Sequence, residues 1–160
     1  MRKAPLLAVL FLAACISAPA PKPSVAVAPA PAALQTVQEP PEVQDPNFIL
    51  VVTESVPNPA DDGVSFTKVF VDGQEAGKTG VGRKSEERAL KLKLPAGNQP
   101  LRLEHWTLPP VGEWTRLDDA LQPRERFVRI EPATIARLLL RFSEGAASNT
   151  LTLSRENAPR

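Results

Sequence analysis

Leu90-Lys91-Leu92-Lys93-Leu94-Pro95-Ala96-Gly97-Asn98-Gln99-Pro100-Leu101-Arg102-Leu103-Glu104 decides how the chain is read. Leucine and lysine alternate with a period of two, which places three leucines on one face of a strand and two lysines on the other. Helical placement would scatter the same leucines around the axis, so the spacing selects strand over helix. Pro95-Ala96-Gly97-Asn98 turns the chain. Leu101 and Leu103 then repeat the alternation against Arg102 and Glu104.

The same texture extends in both directions. Upstream, Phe48-Ile49-Leu50-Val51-Val52 is a continuous β-favouring run, the pattern of a strand covered on both faces. Pro57, Pro59 and Asp61-Asp62-Gly63 break it. Phe66-Thr67-Lys68-Val69-Phe70-Val71 follows and ends in Asp72-Gly73, a strong hairpin dipeptide. Downstream, Val128 and Ile130 alternate with Arg129 and Glu131. Leu138, Leu140 and Phe142 alternate with Arg137 and Arg141, and Leu151 and Leu153 with Thr150 and Thr152. About seven short strands with almost no helical periodicity predict an all-β domain over 47–157, a small antiparallel β-sandwich of Ig-like type. Some 110 residues bury enough surface to be stable without a disulfide or a metal.

Composition narrows the function. The 160 residues hold 19 Lys+Arg against 18 Asp+Glu, 18 Pro, one Cys and one His. That balance removes a chain-wide electrostatic grip on nucleic acid. A single Cys and a single His exclude an intramolecular disulfide and the usual Cys- or His-rich metal centres. No Gly-x-Ser-x-Gly elbow occurs, so the chain is expected to be no enzyme and to need no cofactor.

The excess proline lies at the front. Between Pro19 and Pro46 stand 28 residues with 8 Pro, 6 Ala and no Gly. Such a stretch is expected to be a disordered, polyproline-II-like tether, a semi-stiff spacer for the domain that follows. Before it, Met1-Arg2-Lys3 precedes the apolar run Ala4–Ala14. Eleven residues reach about 16 Å as a helix. That is roughly half of the ~30 Å hydrocarbon core, so residues 1–14 read as a secretory signal peptide and not as a permanent span.

Leu12-Ala13-Ala14-Cys15 resembles the bacterial lipobox, an aliphatic residue and two small ones before an obligatory Cys. The resemblance implies cleavage before Cys15, diacylglyceryl attachment to its sulfur and acylation of the new amine. Residues 15–46 would then be a lipidated N-terminus plus tether, and two or three chains anchor stably where one does not. Ile at position 16, where Asp would retain the protein, implies outer-membrane sorting.

A second resemblance lies in the domain. Val69-Phe70-Val71-Asp72-Gly73-Gln74-Glu75-Ala76-Gly77-Lys78-Thr79, followed by Leu94-Pro95-Ala96-Gly97 and Leu101-Arg102-Leu103, is similar to PEGA-type domains. The similarity covers about residues 66–104. It departs where Gly80 follows Thr79 in place of Pro, and where His105-Trp106-Thr107 replaces a Pro-Gly-aromatic segment. It implies a small extracytoplasmic β-sandwich that adheres or scaffolds.

Several motifs reduce to local structure. Gly77-Lys78-Thr79 is no phosphate loop, because the glycine required five residues earlier is Asp72; it is read as a hairpin end with a left-handed Gly. Asp61-Asp62 and Asp118-Asp119 lack the spaced carboxylates of a calcium loop. Glu86-Glu87 with Arg83, Lys84 and Arg88 reads as a solvated, ion-paired loop. His105 is expected to close a strand ending at Trp106. Arg129, Arg137 and Arg141 occupy outward positions, either a basic sheet face or ordinary surface dressing balanced by Glu125 and Glu131.

Residues 105–123 are the most informative. They are read as a long connection carrying both tryptophans, Trp106 and Trp114, with Arg116. Trp beside Arg is the composition of an interface anchor or of a stacking platform for sugars, while tryptophans plugging an open end of the sandwich remain the other reading. The expected function is therefore an envelope lipoprotein that serves as an accessory or assembly subunit. It would bind a protein partner through Trp106, Trp114 and Arg116. A carbohydrate- or peptidoglycan-binding module using the same loop is the alternative.

Overall fold

The computed structural model describes residues 42–109 and 111–158. The signal peptide, Cys15 and nearly all of the tether lie outside the described residues. Ten strands run in chain order: β1 Phe48–Glu54, β2 Val64–Val71, β3 Gln74–Lys78, β4 Gly82–Arg83, β5 Arg88–Leu92, β6 Gly97–Leu108, β7 Thr115–Arg116, β8 Arg126–Ile130, β9 Thr134–Ser143 and β10 Ser148–Asn157. Seven were legible in the sequence, by alternation or, for β1, by a continuous apolar run; β3, β4 and β7 were not. β3 reads Gln-Glu-Ala-Gly-Lys and has no apolar face, and β4 and β7 are two residues each.

The strands form two sheets. Sheet A has the order β10-β9-β1-β5. Sheet B has β3-β2-β6-β7 as its path, with β4 also on β2 and β8 also on β6. All pairings are antiparallel except the central one of sheet A, where β1 runs parallel to β9 from Phe48↔Ala136 to Glu54↔Phe142. Parallel neighbours need a long crossover, and here all of sheet B together with β5 makes it.

Alternation does what period two requires. Leu90, Leu92 and Leu94 are buried while Lys91 and Lys93 are exposed. Leu101, Leu103, Val128 and Ile130 of sheet B meet Phe48, Leu50, Val52, Leu138, Leu140 and Phe142 of sheet A in one core. Each fully buried side chain of this size contributes about 1.5–3 kcal/mol. β1 is only partly covered on its second face, since Ile49 and Thr53 stay half-exposed. The chain changes sheets between β1 and β2, around the 3-10 turn Pro59–Asp61, and again at β4–β5, β5–β6 and β8–β9.

The β2–β3 turn takes its shape from Asp72 and Gly73, whose φ angles of 52° and 78° are both left-handed. Gly77, read as left-handed from the sequence, is instead an ordinary residue of β3. Its role is packing: a Cβ there would stand 3.3 Å from Leu92 Cδ2 of β5. That contact closes the sandwich along the β3/β5 side.

Candidate functional site

β2 reads Val-Ser-Phe-Thr-Lys-Val-Phe-Val, and its inward residues are Ser65, Thr67 and Val69. Phe66, Lys68 and Phe70 therefore point away from the core. In β6 the inward residues are Leu101, Leu103 and His105, which sends Arg102, Glu104 and Trp106 outward. The β2–β6 register puts Phe66 opposite Trp106, Lys68 opposite Glu104 and Phe70 opposite Arg102. On the far side of β6, Arg116 of β7 stands opposite Trp106.

The outer face of sheet B is consequently aromatic. Phe66 and Trp106 lie parallel with centroids 6.2 Å apart, and Trp114 meets Phe66 edge-on at 4.8 Å. Lys78 Nζ sits 5.5 Å over the Phe66 ring and Lys68 Nζ 6.0 Å over Trp106, while the Arg102 guanidinium covers Phe70 at 3.9 Å. Phe127 of β8, opposite Pro100, is 73% exposed. Among the described residues, only Phe48 and Phe142 of the aromatic side chains belong to the core.

The three residues expected to bind are thus brought together, in a different setting from the one expected. Trp106 is not in a loop: β6 continues through it to Leu108, so His105 does not close the strand either. Residues 109–114 form the β6–β7 connection, with Val111 91% exposed in it. Both tryptophans are half-buried on the sheet's outer face and neither plugs the core. Arg116 donates through Nη1 and Nη2 to Asp119 Oδ1, both at 2.6 Å, and its Nε lies 3.9 Å from Glu104 Oε1. Glu104 is also hydrogen-bonded by Arg102. The indole N–H of Trp106 is shielded and has no acceptor among the described residues.

The arginines after position 123 do not build one basic face. Arg129 belongs to sheet B beside Glu131, at 3.5 Å, and Arg137 to sheet A beside Glu156, at 3.5 Å. Asp62 accepts from the Ser85 N–H at 3.0 Å and hydroxyl at 2.8 Å, and these hydrogen bonds, with a smaller pull from Arg83, lower its pKa against the opposing effect of burial. Among the described residues no group of three or more His, Cys, Asp or Glu is placed to hold a metal ion.

Sequence reasoning missed a second cluster, inside the sandwich. Glu54 and Arg88 form an ion pair whose side chains are 1% and 5% exposed, so Arg88 is no part of a solvated loop. Arg88 also donates to the Ser65 carbonyl at 2.8 Å and to the Ser65 hydroxyl. The Ser65 hydroxyl donates to Glu54 Oε1 at 2.5 Å. His105 Nε2 faces the same oxygen at 3.2 Å, off the line of a hydrogen bond, and its Nδ1 lies 2.9 Å from Thr67 Oγ1. The Thr67 N–H donates to Thr79 Oγ1 at 3.0 Å.

Burial disfavours the Glu54 carboxylate, but the neighbouring His105 and then the hydrogen bonds from Ser65 and Arg88 outweigh it and hold its pKa at about 2. Burial pushes His105 below its ordinary value against the pull of Glu54. A neutral ring with its proton on Nε2 lets Nδ1 accept from the Thr67 hydroxyl. Hydroxyl, imidazole and carboxylate follow one another here as in a nucleophile chain, yet Thr67 and His105 are wholly buried and no substrate reaches them. The cluster is structural. A period-two reading could have flagged it, because Ser65 and Thr67 share a face with Val69, but nothing local names their partners.

No family model, curated protein or solved structure matches the chain.

Proposed function

We propose that the chain is a lipid-anchored envelope protein, carried on Cys15 in the outer membrane and held off the surface by its Pro/Ala-rich tether. Its domain acts as a non-catalytic accessory or assembly subunit that binds a protein partner through the outer face of sheet B. The observation that carries the binding reading is the outward placement of Phe66, Phe70, Trp106, Trp114 and Phe127 on one sheet. Half-buried Trp and Arg are the usual anchors of protein interfaces. The ring faces favour protein over glycan, because Lys68 and Lys78 already sit over Trp106 and Phe66 where a sugar would stack. The anchoring reading is supported by Arg2-Lys3, the apolar run and Leu12-Ala13-Ala14-Cys15. The left-handed Asp72-Gly73 turn between β2 and β3 suits a PEGA-like hairpin.

Affinity capture with the full-length lipidated protein from a crosslinked membrane extract, beside sedimentation with purified sacculi, tests the binding. A partner captured by the wild type and lost with folded Trp106→Ala and Trp114→Ala supports a protein interface. Retention on sacculi that depends on the same residues replaces it with the glycan reading. For the anchor, Cys15→Ala should abolish acyl labelling and membrane fractionation; unchanged fractionation sinks it.

A further inference from the structure

β10 is an edge strand with a regular ladder. It pairs with β9 without a bulge from Ser148↔Ser143 to Asn157↔Thr134. The Ala158 N–H donates to the Ala133 carbonyl at 2.9 Å, one step beyond that register. In an antiparallel ladder every second residue bonds the neighbour, so the even-numbered residues of β10 face β9. Asn149, Leu151, Leu153, Arg155 and Asn157 therefore direct both N–H and C=O to the opposite edge. The Leu151 carbonyl agrees, since it accepts from Arg126 Nη1 at 3.3 Å. Among the described residues that is the one hydrogen bond to the backbone of this row from outside β10 and β9; the Asn149 side chain also donates to the Leu121 carbonyl at 2.9 Å.

Sheet edges of such length are normally blunted by proline, bulges or lysine. β10 reads Ser-Asn-Thr-Leu-Thr-Leu-Ser-Arg-Glu-Asn, with none of the three and no charge before Arg155. The other edge of the same sheet, β5, is half as long and lies under β3 at Gly77. Leu151 and Leu153 pack on the core but remain half-exposed.

We propose that β10 pairs with β10 of a second copy of this chain, antiparallel about a two-fold axis through Thr152, joining two four-stranded sheets into one. Only outward-facing residues can bond each other, which requires odd opposite odd. The register centred on Thr152 sets Leu151 against Leu153 of the second copy and Asn149 against Arg155, each twice by symmetry. It continues the apolar inner face through the four leucines. It also keeps the two Arg155 and the two Glu156 at opposite ends, where a register centred on Arg155 would set like charges against each other. The Arg126 bond to the Leu151 carbonyl is exchanged for one from the Leu153 N–H. A second copy is selected over an unrelated strand because this self-complementarity is a property of the β10 sequence itself.

Thr152 is exposed and faces its own symmetry mate as a non-hydrogen-bonded pair, with Cα atoms about 4.5 Å apart. That lies within disulfide range. Sedimentation equilibrium of the full-length chain should show a dimer, and Thr152→Cys should crosslink under mild oxidation through position 152. Thr152→Lys and Thr152→Glu should each weaken dimerisation about fivefold, while their mixture recovers a heterodimer. The amides of Leu151 and Leu153 should exchange rapidly in dilute samples and slowly in concentrated ones. A chain monomeric at 100 µM overturns the proposal, as does crosslinking through Thr150→Cys or Ser154→Cys in place of Thr152→Cys. Amide protection that does not change with concentration overturns it too, because another segment of the same chain then occupies the edge.

Discussion

His105 Nε2 stands 3.2 Å from Glu54 Oε1 inside the sandwich, with the two side chains 0% and 1% exposed. The imidazole comes from the middle of β6 and the carboxylate from the end of β1, in different sheets. Arg88 joins them from β5. A charged carboxylate at this depth survives because Arg88 and Ser65 both donate to one of its oxygens while His105 Nε2 faces the same atom. The other oxygen, Oε2, has no partner among the described residues, nor has Arg88 Nε. The cluster ties the sheets together at the end of the sandwich that carries Trp106.

Removing one charge should cost more than removing both. Arg88→Met leaves Glu54 buried and unpaired, with an expected loss of about 3–5 kcal/mol in urea denaturation. Adding Glu54→Leu should recover most of it. A single variant no less stable than the double one would show that the pair is not desolvated.

Stability should fall in two stages as pH drops. His105 has a folded pKa below its ordinary 6.5, so the unfolded chain binds the extra proton and stability declines as pH falls below 6.5. Glu54 is lowered from 4.5 to about 2, so its contribution is full above pH 4.5 and disappears as pH falls through that interval. The second stage is on the order of 3 kcal/mol. Urea midpoints between pH 8 and pH 3 should show both, with His105→Gln flattening the first and Glu54→Gln the second.

The tryptophans should behave as partly buried residues outside the core. Trp106→Ala and Trp114→Ala are each expected to cost about 1–2 kcal/mol. Phe142→Ala, in the core against His105, should cost about 3–5 kcal/mol. Thermal melting of the three variants checks the order, and equal losses would place the tryptophans in the core.

At the β2–β3 turn, Gly73→Ala must adopt a φ of 78° and should cost about 1–2 kcal/mol. Asp72→Gly, at 52°, should be near neutral. Denaturation midpoints of the pair test whether the left-handed turn, and not the aspartate side chain, holds the hairpin.

Much of the fold was legible because the core strands alternate cleanly. Leu90-Lys91-Leu92 declares its inner face, as do Leu138, Leu140 and Phe142 set against Arg137 and Arg141, and Asp72-Gly73 declares its turn. β4 and β7 were illegible for want of length, and β3 for want of an apolar face. The candidate surface was half legible: Trp106, Trp114 and Arg116 stood out by residue type. Phe66, Phe70 and Phe127 did not, since phenylalanine in a strand is ordinarily read as core.

The amino-acid sequence by itself determined where the strands run and which residues share a face, since a period of two follows from the pleat alone. Only the tertiary structure decided which face of β2 turns inward and what His105 of β6 meets there. Ser65, Thr67 and His105 are drawn in because Glu54 and Arg88, buried from other strands, need hydrogen-bond partners there. Phe66 and Trp106 are sent outward by the same step. Pairing β1 parallel to β9 likewise depended on contacts between strands at opposite ends of the domain, which no local pattern encodes.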